Sequence, residues 1–152
     1  MSKSNKTNVA LDLYTGDGWV NIPAVASLGA WCNIIIGKRQ VGKTFGTLKY
    51  ELDNNKHFLY LRRTSIEFDA ITSDPELNPF LPLSKFGYDA DIAKTGKVTY
   101  TVGKFERDEN GKVKNILEKY GIGMTLPSIA NIRGFNGSAF SDVVFDEFIP
   151  EK

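Results

Sequence analysis

The sequence predicts an α/β fold: a three-layer sandwich around a largely parallel sheet, with a β-hairpin excursion. Three observations predict it. An apolar run at 31–36 leads through a glycine-bearing loop into an amphipathic segment and a second apolar run at 57–61. A third apolar run, Asp142-Val143-Val144-Phe145, ends on two adjacent acids. Between them lies an alternating segment followed by an Asn-Gly turn. Strand, helix and strand in that order make a βαβ unit, which is almost always right-handed and parallel.

At 152 residues, with 41% hydrophobic and 24% charged residues, the chain is long enough to bury a core and has a globular composition. No stretch approaches the roughly 20 apolar residues of a membrane span. The polar start MSKSNKTNVA lacks the apolar centre of a secretory signal. A single cysteine, Cys32, excludes an internal disulfide framework, and one histidine, His57, leaves no Cys/His metal cluster. Both sit among apolar neighbours and are expected in the core, and the cysteine usage suits a reducing cytoplasm. The net charge of +1 argues mildly against a protein that coats nucleic acid.

In chain order, residues 1–8 read as a frayed terminus, and 1–30 as an extension leading into a domain at 31–152. Turn signals fall at Gly16-Asp17-Gly18 and Ile22-Pro23. Tyr14 and Trp19 are candidates for core packing or for stacking on a base. Trp31-Cys32-Asn33-Ile34-Ile35-Ile36 ends in a β-branched run suited to a strand buried on both faces. Thr44 to Leu52 reads as a helix, since Phe45, Leu48 and Leu52 share one face of a 3.6-residue period. Asp53-Asn54-Asn55 stops it, and His57 to Leu61 forms the next strand. Pro75, Pro79 and Pro82 make 73–84 a loop or short irregular helices. Val98 to Val102 alternates as a half-exposed strand, Asp108 to Gly111 turns the chain, and Lys112 to Leu117 returns. Residues 127–137 form a polar loop carrying Arg133.

The loop itself is specific. Gly37-Lys38-Arg39-Gln40-Val41-Gly42-Lys43-Thr44 matches G-x-x-x-x-G-K-[ST], the Walker A pattern, at every fixed position. With Gly near 7% of residues, chance produces this in about one chain in a hundred, and the flanking strand and helix signals lower that further. The chemistry explains the spacing. Glycines let successive backbone N–H groups turn inward around a phosphate, and the following helix contributes unpaired donors and a partial positive charge. Lys43 is placed for the β- and γ-phosphates, and the Thr44 hydroxyl for Mg²⁺.

Val143-Val144-Phe145-Asp146-Glu147 supplies the complementary acids, a Walker B arrangement. Asp146 is the candidate partner of the metal, and Glu147 the candidate base or water-positioner. Adjacent residues on a strand point to opposite faces. Both acids serve one site only if the chain turns at the strand end, which Pro150 favours.

At these residues the sequence resembles the ATPase domain of bacteriophage DNA-packaging motors, the large terminases, and most closely those of phi29-like phages. Ile35-Ile36-Gly37, Gly42-Lys43-Thr44, Tyr60-Leu61-Arg62-Arg63 and Val144-Phe145-Asp146-Glu147-Phe148-Ile149 carry the resemblance, which spans roughly 31–152. It implies a P-loop NTPase of the ASCE/RecA-like type, using ATP and Mg²⁺, with further core strands beyond Lys152. It also implies a homo-oligomeric ring that moves double-stranded DNA into a procapsid at the portal, in the host cytoplasm, with a packaging RNA as a further candidate partner. Arg133 sits where the family carries a basic residue that completes the neighbouring subunit's site; a solvated loop arginine is the other reading. Arg62 and Arg63 are candidates for sensing nucleotide, for touching DNA, or for plain surface arginines. Residues 94–119 hold seven Lys/Arg against four Asp/Glu, with Tyr100 and Phe105 between them, which suits either a DNA-tracking or a solvated hairpin. Two other function classes fit the same motifs: a P-loop kinase or stand-alone NTPase without a polymer substrate, and a non-catalytic nucleotide-binding module.

Overall fold

The computed structural model describes residues 12–147. The expected frayed end at 1–8 and Pro150 lie outside the described residues, as do Phe148 and Ile149.

Helix α1 (Ile22–Ala26) is followed by α2 (Lys43–Asp53), β1 (Phe58–Arg62) and α3 (Ser65–Ser73). A 3-10 turn at Leu81–Phe86 leads to β2 (Asp91–Lys94), β3 (Thr99–Arg107) and β4 (Val113–Thr125). Helix α4 (Leu126–Asn131), a second 3-10 turn (Gly137–Ala139) and β5 (Asp142–Phe145) complete the order.

The sheet corrects the expected fold class. Its five strands run in the order β2-β3-β4-β1-β5. The parallel pairings are β1 with β4 and β1 with β5; β2–β3 and β3–β4 are antiparallel and carry more of the paired residues. The sheet is mixed, not the largely parallel sheet of a P-loop sandwich. The physical reason begins at the segment before the phosphate loop. Residues 31–36 form no strand, and Trp31, Ile34 and Ile36 are exposed. A β-branched run becomes a buried strand only where a neighbour pairs with it and a layer covers it. Here none of the ladders includes it, so the βαβ unit expected over 31–61 does not form, and Cys32 is exposed as well. β4 is the second reason. It extends well past the expected return strand at 112–117, and its last five residues, Gly121 to Thr125, pair with β1. The hairpin is thereby built into the sheet.

One face of the sheet packs Phe58, Tyr60, Tyr100 and Val102 against Leu48 and Leu52 of α2, Phe68 and Ile71 of α3, and Phe80 and Leu83. The other face packs Leu59, Leu61 and Met124 against Ile129, Ile132, Phe135 and Phe140 from α4 and the loop after it. α3 owes its start to a capping box. The Thr64 hydroxyl accepts from the Glu67 N–H, and the Glu67 carboxylate accepts from the Thr64 N–H. At the hairpin turn the positive φ falls on Gly111 alone, whose N–H closes onto the Asp108 carbonyl at 2.9 Å. No helix of the described residues is long and apolar enough to cross a membrane.

Candidate functional site

Two alternations bring the site together. On α2, Thr44 lies one turn before Leu48 and two before Leu52, so it shares the face those leucines bury against the sheet. On β5, Val144 packs into that same core, and Asp146, two residues on, keeps its side. Helix face and strand end converge, and the Thr44 hydroxyl donates to Asp146 Oδ1 at 2.8 Å.

β1 supplies the rest by register. Leu61 pairs with Phe145, and the Asp146 N–H continues the ladder to the Leu61 carbonyl at 3.1 Å. That sets Arg62 beside Asp146. Tyr60 and Arg62 share a face two residues apart, and both bind Asp146 Oδ2, the phenol donating at 2.9 Å and the guanidinium at 3.0 Å. Arg62 Nε also donates to the Tyr60 oxygen at 3.0 Å. The side chains of Arg62 and Asp146 are 12% and 13% exposed, a degree of burial at which an ion pair is screened far less than on the surface. Burial pushes the Tyr60 phenol well above its usual range, and the Asp146 carboxylate adds to the push, so Tyr60 stays a neutral donor. Burial works against the Arg62 charge, but Tyr60 and Asp146 outweigh it and hold the guanidinium ionised.

The loop preceding α2 is shaped by two left-handed residues, Gln40 (φ 63°) and Gly42 (φ 75°), the latter at the helix N-cap. Position 42 requires glycine twice over. Beyond its φ, a Cβ there would stand 2.0 Å from Cε3 of the Trp19 ring. Trp19 itself packs edge-on to Phe45, and the Val20 N–H donates to the Val41 carbonyl at 3.0 Å. The lead-in thus braces the loop from outside. The Lys43 ammonium donates to the Gly37 and Lys38 carbonyls at 3.0 and 2.6 Å, which leaves its third donor for a ligand. Gly37 to Gln40 are exposed, and Val41 is half-buried.

Glu147 follows with φ 51°, so the chain does turn directly after β5. Its carbonyl accepts from Arg63 Nε at 2.9 Å, and Arg63 is held in turn by Glu67 at 2.7 Å. The carboxylate of Glu147 is exposed beside the cluster. Arg133 lies exposed in the turn after α4, and no hydrogen bond or ion pair of the cluster reaches it. His57, half-buried, stacks on Phe140 with ring centroids 5.2 Å apart.

The sequence reading missed Tyr60 as a partner of Asp146. The signal was present, because a tyrosine two residues before an arginine on a strand shares its face. The role of Trp19 as the wall of Gly42 had no signal in the sequence. Comparisons with family models, with curated proteins and with solved structures returned no match.

Proposed function

We propose that the chain binds ATP with Mg²⁺ at the Gly37–Thr44 loop and hydrolyses it, as the motor domain of a ring that moves double-stranded DNA. The observation that carries the nucleotide reading is the 2.8 Å contact between Thr44 and Asp146. Octahedral Mg²⁺ binds oxygens at about 2.0–2.1 Å, so two neighbouring ligands stand about 3 Å apart. The Thr44 and Asp146 oxygens already stand at that spacing, and the donor set, a hydroxyl and a carboxylate at a helix N-terminus, is one that suits this hard cation. Bound there, the metal would neutralise charge on the β- and γ-phosphate oxygens.

The chain's own residues supply the remainder. The first N–H groups of α2, left unpaired at the helix start, and the loop amides would hold the phosphates, and the Lys43 ammonium would offer its remaining donor to the terminal ones. Tyr60 and Arg62 fix the Asp146 carboxylate so that Oδ1 alone turns to Thr44. Glu147, on the turn that Arg63 holds, orients or deprotonates the attacking water. The DNA-packaging part of the reading rests on the sequence resemblance. Under it, Arg133 acts on a neighbouring subunit's nucleotide, and the ring works at a procapsid portal in the host cytoplasm.

Phosphate release from ATP by the full chain, with and without double-stranded DNA, tests the proposal. Turnover that needs Mg²⁺ and rises with DNA supports the motor reading. Turnover indifferent to DNA supports a stand-alone NTPase, and turnover only with a small-molecule acceptor a kinase. Tight nucleotide binding with no phosphate release in any assembly state supports a binding module.

A further inference from the structure

We infer that Arg62 makes metal binding at Asp146 conditional on bound nucleotide, so that the divalent ion enters with the triphosphate and not before it. The inference rests on the Mg²⁺–nucleotide reading and adds an order of binding to it.

Charge and lone pairs at Asp146 set this order. Asp146 has two carboxylate oxygens. Oδ2 is taken by two donors, the Tyr60 phenol at 2.9 Å and the Arg62 guanidinium at 3.0 Å. Oδ1 faces Thr44. The carboxylate can therefore ligate through one oxygen only, and its charge is already balanced by a cation in direct contact. Both partners are largely buried, so solvent does little to weaken that balance. The neighbouring charges cancel too. Arg63 pairs with Glu67 at 2.7 Å. Lys43, next to Thr44 in the chain, adds a positive charge held on the Gly37 and Lys38 carbonyls, and Glu147, next to Asp146, adds an exposed negative one. A bare divalent cation meets a site with no net negative charge and one guanidinium beside its best ligand. A triphosphate in the loop reverses this, since its oxygens supply both the charge and the further ligands that hard, octahedral cations require. Groups behind a ligating carboxylate usually set both its orientation and its affinity, and here one of them is a full positive charge.

The test uses Mn²⁺ as the probe, read by electron paramagnetic resonance as loss of the free-ion signal on the full chain. In the unmodified chain Mn²⁺ uptake without nucleotide should be at least about a hundredfold weaker than with a non-hydrolysable ATP analogue. Arg62→Gln, which removes the charge and keeps a donor, should tighten nucleotide-free Mn²⁺ binding by about tenfold or more, equivalent to about 1.4 kcal/mol. Arg62→Lys, which keeps the charge, should stay near the unmodified value. Tyr60→Phe removes a neutral donor from the same oxygen and should move it by less than about threefold. Circular dichroism on each sample checks the fold. An Arg62→Gln chain that is folded, binds nucleotide and gains no metal affinity overturns the inference while leaving the triphosphate reading intact. Should Arg62→Gln not fold, the unmodified chain decides: nucleotide-free Mn²⁺ binding within about tenfold of the nucleotide-supported value overturns the inference. Failure of the unmodified chain to bind nucleotide under any condition overturns both.

Discussion

Thr44 and Asp146 lie 102 positions apart in the chain, and their side-chain oxygens meet at 2.8 Å. No local preference produces such a contact. It requires α2 to lie across β1 and β5 with its leucine face down, and β5 to end one residue before Asp146.

The Lys43 ammonium sits inside the loop, bound to the Gly37 and Lys38 carbonyls. Lys43→Ala should weaken binding of a triphosphate by about 10- to 150-fold, the range for losing a charge-assisted hydrogen bond worth about 1.5–3 kcal/mol. Titration calorimetry with a non-hydrolysable ATP analogue measures it. Unchanged affinity would remove Lys43 from the site.

Glu147→Gln separates binding from chemistry. The change keeps the side chain's shape and leaves untouched the backbone carbonyl that Arg63 holds. Turnover should fall by about 10²- to 10⁴-fold, as for loss of a general base, with nucleotide affinity preserved. Equal losses in both would mean that Glu147 supports the fold of the loop and not the reaction.

Gly42 carries a positive φ and faces the Trp19 ring with no room for a Cβ. Gly42→Ala should lower stability to urea by about 1–2 kcal/mol from the left-handed backbone alone, and by more from the clash. In the double variant with Trp19→Ala only the clash should be relieved, so part of the loss remains. Full recovery in the double variant would show that the backbone conformation costs nothing.

Glu51 lies buried at the far end of α2, with Oε2 lacking a partner among the described residues. Burial first, and then the Asp142 carboxylate, lift its pKa from 4.5 to about 7 against the opposing pull of Lys56. The folded chain thus holds this proton over a window, pH 4.5 to 7, in which the unfolded chain has lost it. Stability from this group is complete below pH 4.5 and declines as pH rises to about 7, by up to about 3 kcal/mol. Glu51→Gln should flatten that slope and leave the variant more stable than the parent at pH 8, by urea unfolding. A parent that gains stability between pH 5 and 7 through this residue would contradict the assignment.

What the sequence discloses here follows the range of the interactions. The α2 face, the β5 run and the Asp108–Gly111 turn are written in short-range periodicity and turn chemistry, and the structure forms all three. The Thr64-x-x-Glu67 box that starts α3 is equally local, yet it went unread beside the prolines that follow. Residues 31–36 show the limit. Their composition is that of a buried strand, but burial depends on partners elsewhere in the chain, and composition does not reveal them. The mixed sheet has the same origin, since β4 reads as a short hairpin arm until β1 pairs with its last five residues. Within the site, Lys43, Thr44, Asp146 and Glu147 were legible because the motif spacing names them. Tyr60 and Arg62 became partners of Asp146 only through the β1–β5 register.

Whether Thr44 and Asp146 share one ion is decided by titrating a non-hydrolysable ATP analogue into the full chain, with Mg²⁺ and with chelator, for the parent, Thr44→Ala and Asp146→Asn. Mg²⁺ should strengthen binding by the parent, and each substitution should remove most of that gain while weaker, metal-free binding persists. Folded variants that keep the full Mg²⁺ enhancement would contradict the shared ion between Thr44 and Asp146, and with it the proposed site.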